Sequence, residues 1–167
     1  NSFDICRLSN LYAYMKNDYK RLLAKILVLA VSMFIGSLLY SKSIRGEVIS
    51  IQDGDTITVL KAKKQYRIRL DGIDCPEKKQ AYGNVARKFT SDLVFGKTVK
   101  VKYEKRDRYG RYLGTVITPG GKNLNHELLK AGLAWQYKYN KSPVLKSLEA
   151  KARRQRKGLW SDAKPIA

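Results

Sequence analysis

The sequence predicts an α+β protein: a small five-stranded β-barrel with three helices packed on it, preceded by an N-terminal apolar helix. Three observations carry this expectation. Several short stretches after residue 43 alternate apolar and polar residues with a period of two, the mark of a strand with one buried face. Three later stretches space their apolar residues for a helix face and carry start or stop signals. One uncharged run, Ile26 to Tyr40, is apolar all round rather than striped. At 167 residues the chain holds one domain and an appendage.

The appendage is residues 1–43. Lys16, Lys20, Arg21 and Lys25 precede the uncharged run, and Lys42 and Arg45 close it. That order fits a secretory signal peptide or a short signal-anchor. Leu39-Tyr40-Ser41 is a poor cleavage site, which favours an anchor running through residues 22–41. A positive N-terminal flank stays in the cytoplasm. The remainder is therefore expected to be extracytoplasmic, membrane-anchored or secreted. A buried core helix is the competing reading, but a small domain has little core in which to hide it.

The folded part is residues 44–167. Val48, Ser50 and Gln52 alternate with Ile49 and Ile51, and Asp53-Gly54-Asp55 turns the chain. Thr56 to Leu60 and Tyr66 to Leu70 complete a meander. A helix is expected from Tyr82 to Phe95, with Val85, Phe89 and Leu93 facing inward, Ala86 beside them and Gly96 ending it. Val99, Val101 and Tyr103 alternate with Thr98, Lys100 and Lys102, giving a strand with a basic outer face. Tyr112 to Thr118 is the fifth strand. Asn125 reads as the N-cap of a short helix to Ala131. Ser142 and Pro143 open a last helix with Leu145, Leu148 and Ala152 inward, stopped by Gly158. Five strands with one helix before the fourth and two after the fifth suggest a barrel of the OB type.

Charge narrows the function. Against 34 Lys and Arg stand 14 Asp and Glu, a formal net charge of +20. Such an excess repels itself unless a polyanion or anionic surface is the partner. Nucleic acid or anionic lipid is the first expectation. Cys6 and Cys75 imply no disulfide framework. The one histidine, His126, sits early in a short helix on its exposed side, which disfavours histidine-based chemistry.

The acids that exist are gathered. Asp53 and Asp55 leave the first strand. Asp74 and Glu77 leave the third, where Gly72 and Pro76 form a corner and Arg69 lies one short strand away. A phosphodiester under attack gathers negative charge on its oxygens. A hard cation held by oxygen ligands and two guanidiniums could neutralise it. The acids could also pair with Arg69 and Arg111 as structural salt bridges.

Read as motifs, DGDT at Asp53 to Thr56, RLDGIDCPE at Arg69 to Glu77 and DRYGR at Asp107 to Arg111 resemble the staphylococcal nuclease family, in the family's order. NHELLKAGLA at Asn125 to Ala134 and GLWS at Gly158 to Ser161 resemble it too. The resemblance spans almost all of the folded part and none of residues 1–43. It implies a calcium-dependent nuclease acting on DNA and RNA, with single-stranded or frayed substrate preferred and 3′-phosphate ends left. Asp55, Asp74 and the backbone carbonyl of Cys75 match the calcium ligands, and Asp53 an acid behind them. Arg69 and Arg111 match the phosphate-binding arginines, and Glu77 the acid that acts as, or positions, the general base. Tyr109 matches a phosphate-bonding tyrosine and Tyr137 a tyrosine stacking on the base. A monomer is expected. The other reading of the same barrel is a membrane-tethered module that holds single strands without cutting them.

Overall fold

The computed structural model describes residues 19–32 and 42–162. The chain divides into two units, Asn1–Tyr40 and Ser41–Ala167. In the first, α1 covers residues 19–32, and its side chains are exposed. Among the described residues no helix is long and apolar enough to cross a membrane. The span expected over residues 22–41 continues past residue 32, and its second half lies outside the described residues.

The second unit is the barrel. Its strands are β1 (Lys42–Asp53), β2 (Thr56–Lys61), β3 (Lys64–Leu70), β5 (Thr98–Arg106) and β6 (Tyr112–Ile117), closed in the order β1-β2-β3-β6-β5. β1 starts at Lys42, ahead of the Ile44 at which the alternation becomes visible. Two irregularities in β1, at Val48/Ser50 and Ile51/Asp53, shift its register against β2. They explain why Val48 and Ile51 are both buried although they are an odd number of residues apart. β2 turns into β3 through Ala62 and Lys63, both at positive φ, the conformation that a two-residue hairpin demands.

β3 closes the barrel against β6, and this pair is parallel: Ile68, Arg69 and Leu70 stand opposite Tyr112, Leu113 and Gly114. Past the corner at Gly72, a two-residue strand β4 (Ile73–Asp74) pairs with β7 (Trp135–Gln136) outside the barrel. The barrel core is Val48, Ile57, Val59, Ile68, Leu70, Val99, Val101 and Val116. The helices α2 (Gly83–Val94), α3 (Leu124–Lys130) and α4 (Pro143–Arg154) and the 3-10 turn Gly158–Ser161 complete the unit. Trp135 and Trp160 meet edge to face, and Arg153 lies over Trp160.

Three details differ from the sequence reading. α2 buries Ala86, Thr90 and Val94; Phe89 and Leu93 are half-buried, and Val85 is exposed. The buried stripe runs through Ala86, one residue round from the Val85–Phe89–Leu93 line, and polar Thr90 within it carries no hydrophobic signal. Thr90 is inside because its hydroxyl donates to the Gly54 carbonyl. Asn125 is not the cap of α3. Asn123 caps it, accepting from the His126 N–H, while Asn125 is buried. Asn125 donates to the carbonyls of Asp71 and Gly114 and accepts from the Val116 N–H, tying β6 to the end of β3. Finally, α4 ends at Arg154, before Gly158, with Arg156 left-handed beyond it. Ser142 and Pro143 open α4 as expected.

Candidate active site

The site is built at the open end of β3. Leu70 N–H donates to the Asp55 carbonyl, and Asp71 N–H to the Gly114 carbonyl, so the end of β3 is tied to the start of β2 and to β6. Gly54 makes the approach close. A Cβ on it would stand 2.8 Å from the Ala86 Cβ and 3.0 Å from the Cys75 Sγ. With no side chain at 54, Asp55 reaches the 73–75 segment, and its Oδ2 accepts from the Cys75 N–H at 2.6 Å. Its Oδ1 accepts from the Thr56 hydroxyl at 3.1 Å.

Arg69 lies between the two acids. Its Nη1 is 3.0 Å from Asp55 Oδ2, and its Nη2 is 2.5 Å from Asp74 Oδ1. Nη1 also donates to the carbonyls of Leu70 and Ile73. Burial pushes the Asp55 carboxyl above its ordinary range, and Arg69 and the Cys75 N–H only partly offset it. The Cys75 thiol is pushed well up by burial and by Asp55, so it stays neutral, and its backbone N–H is the part that touches the site.

Arg111 is held differently. The turn from Asp107 to Arg111 is closed by Asp107 itself. Its Oδ1 accepts from the N–H groups of Tyr109 and Arg111, each at 2.9 Å, and its Oδ2 binds the Arg111 Nε at 2.7 Å. Gly110 supplies the positive φ, at 75°, that brings the chain round. Burial raises the Asp107 carboxyl, but the Arg111 side chain and backbone and the Tyr109 N–H outweigh it and hold it below its ordinary range. Sequence reading missed Asp107. An acid opening a tight turn two and four residues before the N–H groups it caps is the signal that could have found it.

One groove of about 650 Å³ is lined by Arg69, Arg111, Tyr109, Tyr137 and Tyr139 among others. Tyr109 and Tyr139 are largely exposed and Tyr137 half so. The β4–β7 pair and the hydrogen bond from Tyr137 N–H to the Gly72 carbonyl carry the tyrosines there. Tyr139, which sequence reading left unassigned, packs edge to face on Tyr137 with ring centroids 5.5 Å apart. Of the expected residues, Arg69, Arg111, Tyr109 and Tyr137 share the groove, and Asp55 and Asp74 meet at Arg69. Glu77 is exposed, and its carboxylate makes no hydrogen bond or ion pair among the described residues; its N–H donates to Gln80 Oε1. Asp53 is likewise without a side-chain partner among the described residues. His126 is half-buried rather than exposed, its pKa lowered by burial and by Lys130, and it is not in the groove.

Asp55, Asp74 and the Cys75 carbonyl offer only oxygen, the donor type of a hard cation. Asp55 is buried, and burial outweighs Arg69 in its carboxyl; a cation there would add to the positive charge that Arg69 brings. No group of three or more His, Cys, Asp or Glu side chains converges for metal binding among the described residues. Most ligand positions would therefore fall to backbone, water or substrate.

Two guanidiniums in a groove walled by tyrosine rings define a barrel protein suited to holding a phosphate ester beside its base. The staphylococcal nuclease homologue family matches residues 67–162, and the chain belongs to that family. A relative named "Uncharacterized endonuclease" in Escherichia coli O157:H7 is 52% identical over 124 residues, covering 74% of this chain and 81% of that protein. "Micrococcal nuclease" of Shigella flexneri is 46% identical over 129 residues, covering 71% and 74%. "Staphylococcal-like nuclease CAN1" of Arabidopsis thaliana is 40% identical over 119 residues, 71% of this chain and 35% of that protein. Family membership gives the coarse function, a nuclease hydrolysing nucleic acid.

Proposed function

We propose that the chain is a calcium-dependent endonuclease that cuts DNA and RNA with little sugar specificity and leaves 3′-phosphate ends. The observation that carries this reading is the groove shared by Arg69 and Arg111, with the Asp55–Asp74 pair at its Arg69 end. Calcium held by Asp55, Asp74 and the Cys75 carbonyl would supply positive charge against the phosphate oxygens. Asp53 stands behind those ligands. Arg111, fixed through its Nε, turns its terminal amino groups to two non-bridging oxygens as a fork. Arg69 adds a second guanidinium on the side of the acids. Tyr109 donates its hydroxyl to a phosphate, and Tyr137 offers a ring for the base. Glu77, free of side-chain partners among the described residues, takes the proton of the attacking water.

The protein acts as a monomer on single-stranded or frayed substrate, because flat stacking surfaces favour unpaired bases. It is membrane-anchored or secreted, with the domain extracytoplasmic. The charge order around Ile26 to Tyr40 supports that placement, and a topology reporter fused after residue 43 tests it. The activity is tested by digesting DNA and RNA with purified protein in calcium or in chelator, followed by end-group analysis. Cleavage in calcium alone, with 3′ ends sensitive to phosphatase, is expected. Intact substrate at saturating calcium would leave the binding-only module as the better account.

A further inference from the structure

Part of the positive charge lies on the barrel wall, away from the groove. β5 turns Lys100 and Lys102 outward, and β1 turns Arg45 outward beside them; all three are exposed. The register sets Arg45 directly opposite Lys100, and Ser43 opposite Lys102. Like charges directly opposed across an antiparallel pair destabilise it. None of the three joins an ion pair among the described residues. The wall's acids lie at its ends: Glu47 opposite Thr98, and Glu104 in the irregularity between Tyr103 and Lys105. A fold that sets cations against one another with no internal partner is suited to an external polyanion.

The wall leads into the groove. In the register, Lys105 of β5 stands opposite Leu113 of β6, which stands opposite Arg69 of β3. Paired strands lie about 4.8 Å apart, so this one row places Lys105 about 10 Å from Arg69 along the sheet surface. The irregularity matters here. Lys102 and Lys105 are an odd number of residues apart and would otherwise face opposite ways; the extra residue lets both line one hollow. That hollow, of about 250 Å³, shares Asp71 and Leu113 with the groove. Asp71 and Glu104 are its acids, and they keep a phosphate off its floor. Contact with a polyanion therefore falls to the long lysine side chains.

We infer that Lys105, Lys102, Lys100 and Arg45 form a phosphate track that receives the nucleic-acid backbone as it leaves the groove. The preferred substrate is then a long polynucleotide rather than a short oligonucleotide. This rests on the nuclease reading for the identity of the polyanion. Continuity with the groove, through Leu113, favours nucleic acid over a lipid surface.

The test measures binding without cleavage. The full chain, in chelator, is titrated against a fluorescent trinucleotide and a fluorescent long single strand over a range of salt. In the triple variant Arg45→Gln, Lys100→Gln, Lys102→Gln, long-strand affinity should fall about tenfold or more. The salt slope should drop by about 2, near 0.7 for each lost phosphate contact on a single strand. Trinucleotide affinity should hold, and the melting temperature should hold or rise, because like charges are removed. Unchanged long-strand affinity and slope would overturn the track, as would equal weakening at both lengths. A variant that keeps long-strand binding but loses retention on vesicles of anionic phospholipid would assign the wall to a membrane instead. A wild-type chain that binds long strands in this way yet never cuts them would overturn the nuclease reading while leaving the track standing.

Discussion

Arg69 and Arg111 line the same groove but are held in opposite ways. Arg69 has both terminal nitrogens taken, by Asp55, by Asp74 and by two backbone carbonyls. Arg111 is hydrogen-bonded through its Nε to Asp107 and lies over the Tyr109 ring, and among the described residues its terminal nitrogens make no hydrogen bond. A guanidinium held at Nε is pre-aimed and loses little freedom on meeting a phosphate. A guanidinium held at both ends of its fork must first exchange partners. On the proposed function, the difference would make Arg111 the preorganised donor and Arg69 a guanidinium that must leave the acid pair before it can serve a phosphate.

The largest effect should come from Arg111→Lys, which keeps the charge and removes the fork. The expected cost is about 2–4 kcal/mol in the barrier, the range for losing a preorganised donor. The reading is turnover at saturating substrate and calcium. Retained turnover would mean that the fork is not used, and the contrast with Arg69 would carry no functional weight.

Asp107→Asn should cost less, about 1.5–3 kcal/mol, the worth of a hydrogen bond to a charged group. It keeps an acceptor for the Tyr109 and Arg111 N–H groups while loosening the Nε. The loss should fall on kcat more than on KM, since Arg111 is still present but poorly aimed. Asp107 also carries a pH signature. Its folded pKa lies below the ordinary 3.8, so its contribution to stability is present above 3.8 and fades as pH falls through the lower folded value. Acid unfolding of Asp107→Asn should lack that component. Identical acid profiles for the two proteins would show that the clamp contributes nothing.

Arg69→Gln should act in the opposite sense on the metal. With the competing guanidinium gone, calcium should bind the nucleotide-free protein several-fold more tightly by calorimetry, and calcium should raise the melting temperature more than in the wild type. Weaker calcium binding in this variant would show that Arg69 orders the acids rather than competing for them.

The smallest effect is a control away from both arginines. Lys63 holds φ at 63°, which suits glycine, so Lys63→Gly should stabilise the hairpin by about 0.5–1 kcal/mol and leave kcat unchanged. A change in kcat here would warn that stability alone moves the rates above.

The two arginines also divide what could be read in advance. Arg69 and the acids beyond it stood out because an alternating strand ends in charged residues at a Gly–Pro corner. Arg111 is legible through its motif, and its clamp is not, because the bond between Asp107 and the Arg111 Nε forms only when the turn closes. Asn125 was misread as a cap for a related reason. Its neighbourhood favours a cap locally, but its partners, Asp71 and Gly114, are distant in sequence.

By itself the sequence determined the class of the fold, the barrel strands, the helix order and the family, because periodicity and turn chemistry act between near neighbours. Only the tertiary structure decided which residues meet. The parallel β3–β6 pair sets Arg69 beside Leu113, just past Arg111, and β4–β7 brings Tyr137 and Tyr139 to the same groove. Those pairings follow from closing the barrel, where every strand edge must find a hydrogen-bonding partner, and no local pattern says which edge that is.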